Sequence, residues 1–108
     1  MPDAGDLIWL DFDPQTGHEQ SGRRPALVLS PAAYNDKAGL AVVCPITNQA
    51  KGYPFEVGLP AGLKLGGVVL TDQIKSLDWR KRRATRVDRI TATIFEEVRD
   101  RIRPLLGL

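Results

Sequence analysis

Between residues 5 and 77 the chain is cut into short apolar runs, each closed by residues that break a strand. That punctuation is its strongest constraint. Gly5 to Phe12 alternates, with Ile8, Leu10 and Phe12 on one face and Leu7, Trp9 and Asp11 on the other. Asp13-Pro14-Gln15-Thr16-Gly17 then supplies turn chemistry. Ala26-Leu27-Val28-Leu29 is ended by Ser30-Pro31, and Leu40-Ala41-Val42-Val43-Cys44 by Pro45. Tyr53 to Leu59 and Val68 to Leu77 complete the series. Short strands at this spacing predict a mainly β fold, a small antiparallel barrel or sandwich, rather than a parallel sheet.

The C-terminus changes period. Ile90, Ile94, Val98 and Ile102 recur every fourth residue, while Glu96, Glu97, Arg99, Asp100, Arg101 and Arg103 fill the polar face. Thr93 and Glu96 have capping-box spacing, with Thr91 as an alternative start, and Pro104 and Gly107 mark the end. The prediction is one amphipathic helix, structural in role, closing a small barrel. With no repeats, low-complexity tracts or linkers, residues 1–108 read as a single domain.

A hydrophobic content of 43% is too high for a disordered chain. No apolar run is long enough to cross a bilayer, and Met1-Pro2-Asp3-Ala4-Gly5-Asp6 has neither the basic start nor the apolar stretch of a signal peptide. A soluble cytoplasmic protein without membrane contact is the expectation. Cys44 stands alone, so no internal disulfide is possible and nothing suggests a zinc cluster. Net charge is only +2, but Arg80-Lys81-Arg82-Arg83 is followed by Arg86 and Arg89. Such a cluster can attract phosphates, or it can be a solvated basic edge that discourages sheet pairing.

Chemistry can sit in two places. Gly17 to Pro25 packs polar and charged groups into a loop between apolar strands, and Arg24 lies at its end, where its base can be held firmly. A guanidinium there can grip a phosphate with two parallel hydrogen bonds, or pair with a carboxylate to fasten the loop. Thr47-Asn48-Gln49 ends another run; its groups can bind a phosphate oxygen or base edge, or simply make turn bonds. His18, the only histidine, and Glu19 are possible proton acceptors, with a bystander or arginine partner as the other reading. There is no phosphate-cradling glycine loop, nucleophile elbow, zinc-binding helix motif or dinucleotide fingerprint. Asp3, Asp6, Asp11 and Asp13 alternate or fall at turns and form no two-metal site, so a nuclease built on this chain is expected to work without metal or other cofactor.

Taken together these segments resemble the MazF/PemK toxins. Gly5-Asp6-Leu7-Ile8-Trp9-Leu10-Asp11-Phe12-Asp13-Pro14 is similar to the opening strand of that family. Gly17 to Ser30 resembles its G-x-E-Q-x-G-x-R-P loop and following strand, and Pro45-Ile46-Thr47 its second site segment. Gly67 to Asp78 resembles its G-x-V-x-x-D-Q-x-[KR]-[ST]-[ILV]-D stretch. The likeness covers nearly the whole chain.

The resemblance implies an SH3-like barrel with appended helices, a homodimer, cleavage of single-stranded RNA at short motifs, and neutralisation by a cognate antitoxin. By motif, Arg24 and Thr47 correspond to the family's main catalytic pair. Some members use acid/base groups at the positions of His18 and Asp72 together with an arginine two residues before the aspartate. This chain has Leu70 there, which favours Arg24 with Thr47. The implied reaction is attack by the RNA 2′-OH, leaving a 2′,3′-cyclic phosphate and a 5′-OH, with Glu19 or His18 accepting the proton. Gln20, Asn48, Asp72, Gln73, Lys75, Ser76, Arg80 and Arg82 are expected RNA contacts. Tyr53 and Trp79 offer aromatic surface for bases or for packing. The competing readings are a CcdB-like toxin that poisons gyrase without cutting anything and a non-catalytic SH3-like binding module.

Overall fold

A computed structural model describes residues 1–12 and 22–108. The elements run β1 (Asp6–Phe12), β2 (Gly22–Val28), α1 (Ala32–Ala38), β3 (Leu40–Thr47), β4 (Glu56–Gly58), β5 (Val68–Leu70), β6 (Lys75–Asp78), β7 (Thr85–Arg89) and α2 (Ala92–Leu106). The seven strands form one antiparallel sheet ordered β4-β5-β3-β2-β1-β7, with β6 joining β3 beside that path. Among the described residues no ladder joins β4 to β7, so the sheet curls without closing through hydrogen bonds. The mainly β, antiparallel expectation holds.

Both faces of this sheet are covered, which is why β1 is apolar at consecutive positions. Leu7 packs with Leu27, Cys44, Ile46, Val57 and Val69 under Ile90, Val98 and Ile102, the inward residues of α2 and its approach. Ile8 and Leu10 point the other way, joining Ala26, Val28, Ala41 and Val43 beneath Phe12, Leu77, Trp79 and Ala84. Burying each large aliphatic side chain contributes about 1.5–3 kcal/mol.

β3 does not stop at Pro45. Its first half pairs with β6 from Leu40 to Val43, and its second half pairs with β5 at Ile46 and Thr47. Pro45 falls between those two ladders, so on that side its missing N–H interrupts neither. The Val68–Leu77 run is two strands, because Thr71 turns inward, becomes fully buried and donates its hydroxyl to Phe55 O at 2.5 Å. The Tyr53–Leu59 run contracts to the three residues of β4.

α1 and β7 carry no apolar periodicity. α1 is anchored by buried Asn35, whose Nδ2 donates to Pro2 O and Ser30 O at 2.9 and 3.0 Å, and whose carbonyl accepts from Trp79 Nε1 at 2.9 Å. β7 occupies the second half of the basic stretch and pairs with β1; Arg86 and Arg89 both reach the buried Asp6 carboxylate, at 3.2 and 2.7 Å.

α2 starts at Thr91 rather than Thr93, with Thr91 Oγ1 accepting from Ile94 N at 3.3 Å. Pro104 lies inside its last turn. Gly107, at φ 72°, ends the helix while Leu108 N donates back to Arg103 O at 2.9 Å. Among the described residues no helix is long and apolar enough to cross a membrane.

Candidate active site

A broad opening arises where β2 and β3 separate. Their ladder holds from Val28–Val43 to Ala26–Pro45 and goes no further. Beyond it, residues 22–25 of β2 stay with β1, while Ile46 and Thr47 of β3 turn to β5. The splay opens a groove of about 1030 Å³. Arg23, Arg24 and Pro25 line it from β2, Pro45, Ile46 and Thr47 from β3, and Trp9 and Phe12 from β1. Loop residues including Asn48, Gln49, Lys51, Tyr53, Lys64, Asp72 and Gln73, with Lys75 at the start of β6, extend its walls.

Thr47 ends β3 and is held in two ways. Its Oγ1 accepts from Gln49 N at 3.1 Å, which leaves the hydroxyl hydrogen to donate to an anion in the groove. Gly67, at φ +107°, presses against it from the other side. A Cβ at Gly67 would stand 2.3 Å from Thr47 O and 3.0 Å from Asn48 Oδ1. Only glycine therefore permits this seat for the Thr47–Asn48 corner.

Arg24 is half-buried in β2, where its backbone pairs with Leu10 of β1. The adjacent Arg23 has a different task. It donates to Asp11 Oδ1 at 2.9 Å, Trp9 O at 3.2 Å, Arg83 O at 2.8 Å and Thr85 Oγ1 at 3.0 Å. Asp11 also accepts from Arg83 Nε at 2.7 Å. The Arg83 bond, helped by Arg23, holds the Asp11 carboxyl below the usual aspartate range, against a smaller opposing effect of burial. This clamp ties the free end of β2 to β1 and to the turn before β7, directly beside Arg24.

The 51–56 wall has its own tethers. The Glu56 carboxylate accepts from the backbone N–H groups of Lys51 and Gly52 at 3.1 and 3.0 Å. Arg101 reaches from α2 to Pro54 O and, at 3.3 Å, to Glu56 O. Tyr53, half exposed, stacks on Phe55 with centroids 5.3 Å apart.

Six of the expected catalytic and RNA-contact residues thus share the groove: Arg24, Thr47, Asn48, Asp72, Gln73 and Lys75. Leu70 joins them, so the position where some family members carry arginine does face the groove here, with an apolar chain. Lys75 Nζ stands 5.6 Å from the Phe12 ring centroid. Ser76 is exposed on β6 and is not part of the lining.

Arg80 and Arg82 also lie outside the lining. Arg80 stacks on Trp79 at 4.6 Å and meets Asp36 at 3.4 Å; Arg82 Nη1 donates to Asp11 O at 3.3 Å. Trp79 itself is a packing residue, set against the core and bonded to Asn35. His18, Glu19 and Gln20 lie outside the described residues, as does the predicted turn at Asp13 to Gly17.

Sequence reasoning assigned no role to Trp9, Phe12, Lys51, Lys64 or Gly67 at this site. A Gly67 role was detectable in principle from the paired glycines before β5, whereas Lys64 carries no local signal. Cys44 lies in the core that α2 covers as a fully buried thiol, pushed up to about 12 by burial and by the charge of Asp72, which leaves it protonated and unreactive. Among the described residues no three His, Cys, Asp or Glu side chains come together as metal ligands.

A family model described as PemK-like, MazF-like toxin of type II toxin-antitoxin system matches residues 3–106. The chain is 50% identical over 107 residues to the Endoribonuclease toxin MazF of Escherichia coli, covering 99% of this chain and 96% of that one. It is 41% identical over 104 residues to the Escherichia coli Endoribonuclease PemK, covering 92% and 78% of the two chains. Among solved structures, MazE-MazF (Form-II) from Deinococcus radiodurans superposes with a TM-score of 0.93 at 61% identity, covering 99% of this chain and 96% of that one. MazF (Form-I) from the same organism gives a TM-score of 0.90 at 61% identity, with 99% and 97% covered.

Proposed function

This chain belongs to the PemK-like, MazF-like toxins of type II toxin–antitoxin systems and is an endoribonuclease, and from that premise we propose that it cuts single-stranded RNA in the groove between β2 and β3. The observation that carries the location is that Arg24 and Thr47, from two strands that part at this point, line one groove, with Thr47 fixed by Gly67.

The reaction uses a nucleophile already in the substrate. The 2′-OH oxygen of one nucleotide attacks its own 3′-phosphorus, and the bond from phosphorus to the 5′-oxygen of the next nucleotide breaks. The products are a 2′,3′-cyclic phosphate and a 5′-OH, and DNA is refused because it lacks the attacking group. Arg24 stabilises the charge gathering on the phosphoryl oxygens, and at its high pKa it is a poor choice for delivering a proton. Thr47 donates to a non-bridging oxygen. Glu19 or His18 takes the 2′-OH proton, and the departing 5′-oxygen takes up a proton from water or from the acid formed in that transfer.

Asn48, Gln73, Asp72 and Lys75 are placed to hold or read flanking nucleotides, with Gln20 as a further contact from the loop. Ser76, Arg80 and Arg82 are secondary in this reading, since they stand away from the groove. None of the chemistry calls for a metal or a cofactor. The chain acts as one domain over residues 1–108, as a cytoplasmic homodimer that halts translation by cutting messenger RNA until its cognate antitoxin binds. The named relatives are endoribonucleases, which speaks against a toxin that only binds a protein.

The test is an incubation of purified protein with mixed single-stranded RNA in EDTA, followed by mapping of the new ends. Cleavage leaving 5′-OH ends is expected, and a single 2′-deoxy nucleotide at the cut should block it. A need for Mg²⁺, or ready cutting at the 2′-deoxy position, overturns the mechanism.

A further inference from the structure

The runs of basic residues and the cations able to meet RNA are different sets in this molecule. Four of the five arginines in the 80–89 stretch are occupied by carboxylates: Arg80 by Asp36 at 3.4 Å, Arg83 by Asp11 at 2.7 Å, and Arg86 and Arg89 by Asp6 at 3.2 and 2.7 Å; Arg82 donates to the Asp11 backbone carbonyl at 3.3 Å. Each would have to surrender a partner before taking a phosphate. In the groove Arg23 is likewise held by Asp11, and Lys75 sits over Phe12.

Lys51 and Lys64 differ. Both are exposed and line the groove, and among the described residues neither ammonium group forms a hydrogen bond or a contact ion pair, although the Asp88 carboxylate feels the Lys64 charge. Their backbones, in contrast, are fixed. Lys51 N donates to Glu56 Oε2 at 3.1 Å, and Lys64 N donates to Asp88 Oδ2 at 2.9 Å. A long flexible stem on an anchored base, ending in a hydrated point charge, suits phosphates whose exact position varies with the bases between them.

Resting on the endoribonuclease reading, we infer that Lys51 and Lys64 form a phosphate-holding wall of the groove that grips the backbone of single-stranded RNA beside the cut, and that the arginine-rich turn takes no direct part. This wall accounts for much of the salt-sensitive affinity. It does not touch the reacting atoms, so its loss raises KM and leaves kcat in place.

The experiment titrates a fluorescein-labelled, 2′-O-methyl single strand of the cleaved sequence with wild type, Lys51→Gln, Lys64→Gln, the double variant and Arg80→Gln, across about 50 to 200 mM salt. Each lysine variant should flatten the slope of log affinity against log salt by about 0.7, and the double variant by about twice that. Arg80→Gln should leave the slope unchanged. With cleavable RNA, the double variant should show a raised KM and a wild-type kcat.

A wild-type slope in the double variant, with the wild type binding RNA normally, overturns the lysine wall and leaves the nuclease reading intact. So does an equal loss in Arg80→Gln. Failure of the folded wild type to bind or cut any RNA overturns both.

Discussion

Replacing Gly67 by alanine tests whether the Thr47 corner is seated as described. The new Cβ would lie 2.3 Å from Thr47 O, roughly 1 Å inside ordinary contact, and that oxygen belongs to backbone that cannot rotate away. Overpacking of this kind costs about 1–3 kcal/mol. The residue must also keep φ +107° or abandon it, and such strain adds about 1–3 kcal/mol. Two responses are available to the protein. It can absorb the clash and lose stability, or it can move Thr47 and Asn48 by about 1 Å, a displacement worth on the order of 100-fold in rate where groups must be aligned. Urea unfolding and single-turnover cleavage together detect either response. Gly58→Ala is the control, because nothing lies within 4 Å of a Cβ there and Gly58 pairs with Val68, next to Gly67. Gly67→Ala should lose at least about 2 kcal/mol of stability or 10-fold in cleavage rate, with Gly58→Ala close to wild type. A Gly67→Ala protein that matches wild type in both assays refutes the reasoning.

Two further outcomes follow from groups away from the reacting atoms. Because Arg83 and Arg23 depress the folded-state pKa of Asp11, its stabilisation is present above the unfolded value of about 3.9 and fades as pH falls through the lower folded value. Asp11→Asn should therefore lower Tm at neutral pH, with the gap to wild type closing only in that acid window; a gap independent of pH would contradict the clamp. Cys44, buried and with its thiol pushed up to about 12, should resist a disulfide reagent in the native state and react in step with unfolding in urea. Rapid labelling of the folded protein would contradict its placement.

The parts of the fold that were legible are those set by local pattern. β1 and α2 could be read because their apolar periods match the faces they bury. α1 could not, since its anchor is a polar residue whose burial depends on Pro2, Ser30 and Trp79, distant in sequence or on other elements. β7 was hidden for a related reason: a string of charges reads as solvated surface until Asp6 appears opposite Arg86 and Arg89. Within α2 the Thr93–Glu96 spacing pointed two residues too late, because Glu96 meets Arg99 and Arg103 instead of closing a capping box.

The site divides the same way. Arg24 and Thr47 stood out because each ends or begins an apolar run, and the divergence of β2 from β3 brings those ends to one groove. Lys51 and Lys64 drew no notice, since only the fold brings these two loop positions to one groove. Counting charges along the chain likewise does not reveal Asp36 beside Arg80 or the Asp11 backbone carbonyl beside Arg82.

The central claim is that this groove cuts RNA through Arg24 and Thr47. Single-turnover cleavage by Arg24→Ala and Thr47→Ala, each shown to fold and to bind the 2′-O-methyl strand, tests it most directly. Losing one preorganised donor to a developing oxyanion costs about 100- to 1000-fold, and a fall of that size in the cleavage step is expected of both variants. Wild-type cleavage by either one would place the chemistry elsewhere.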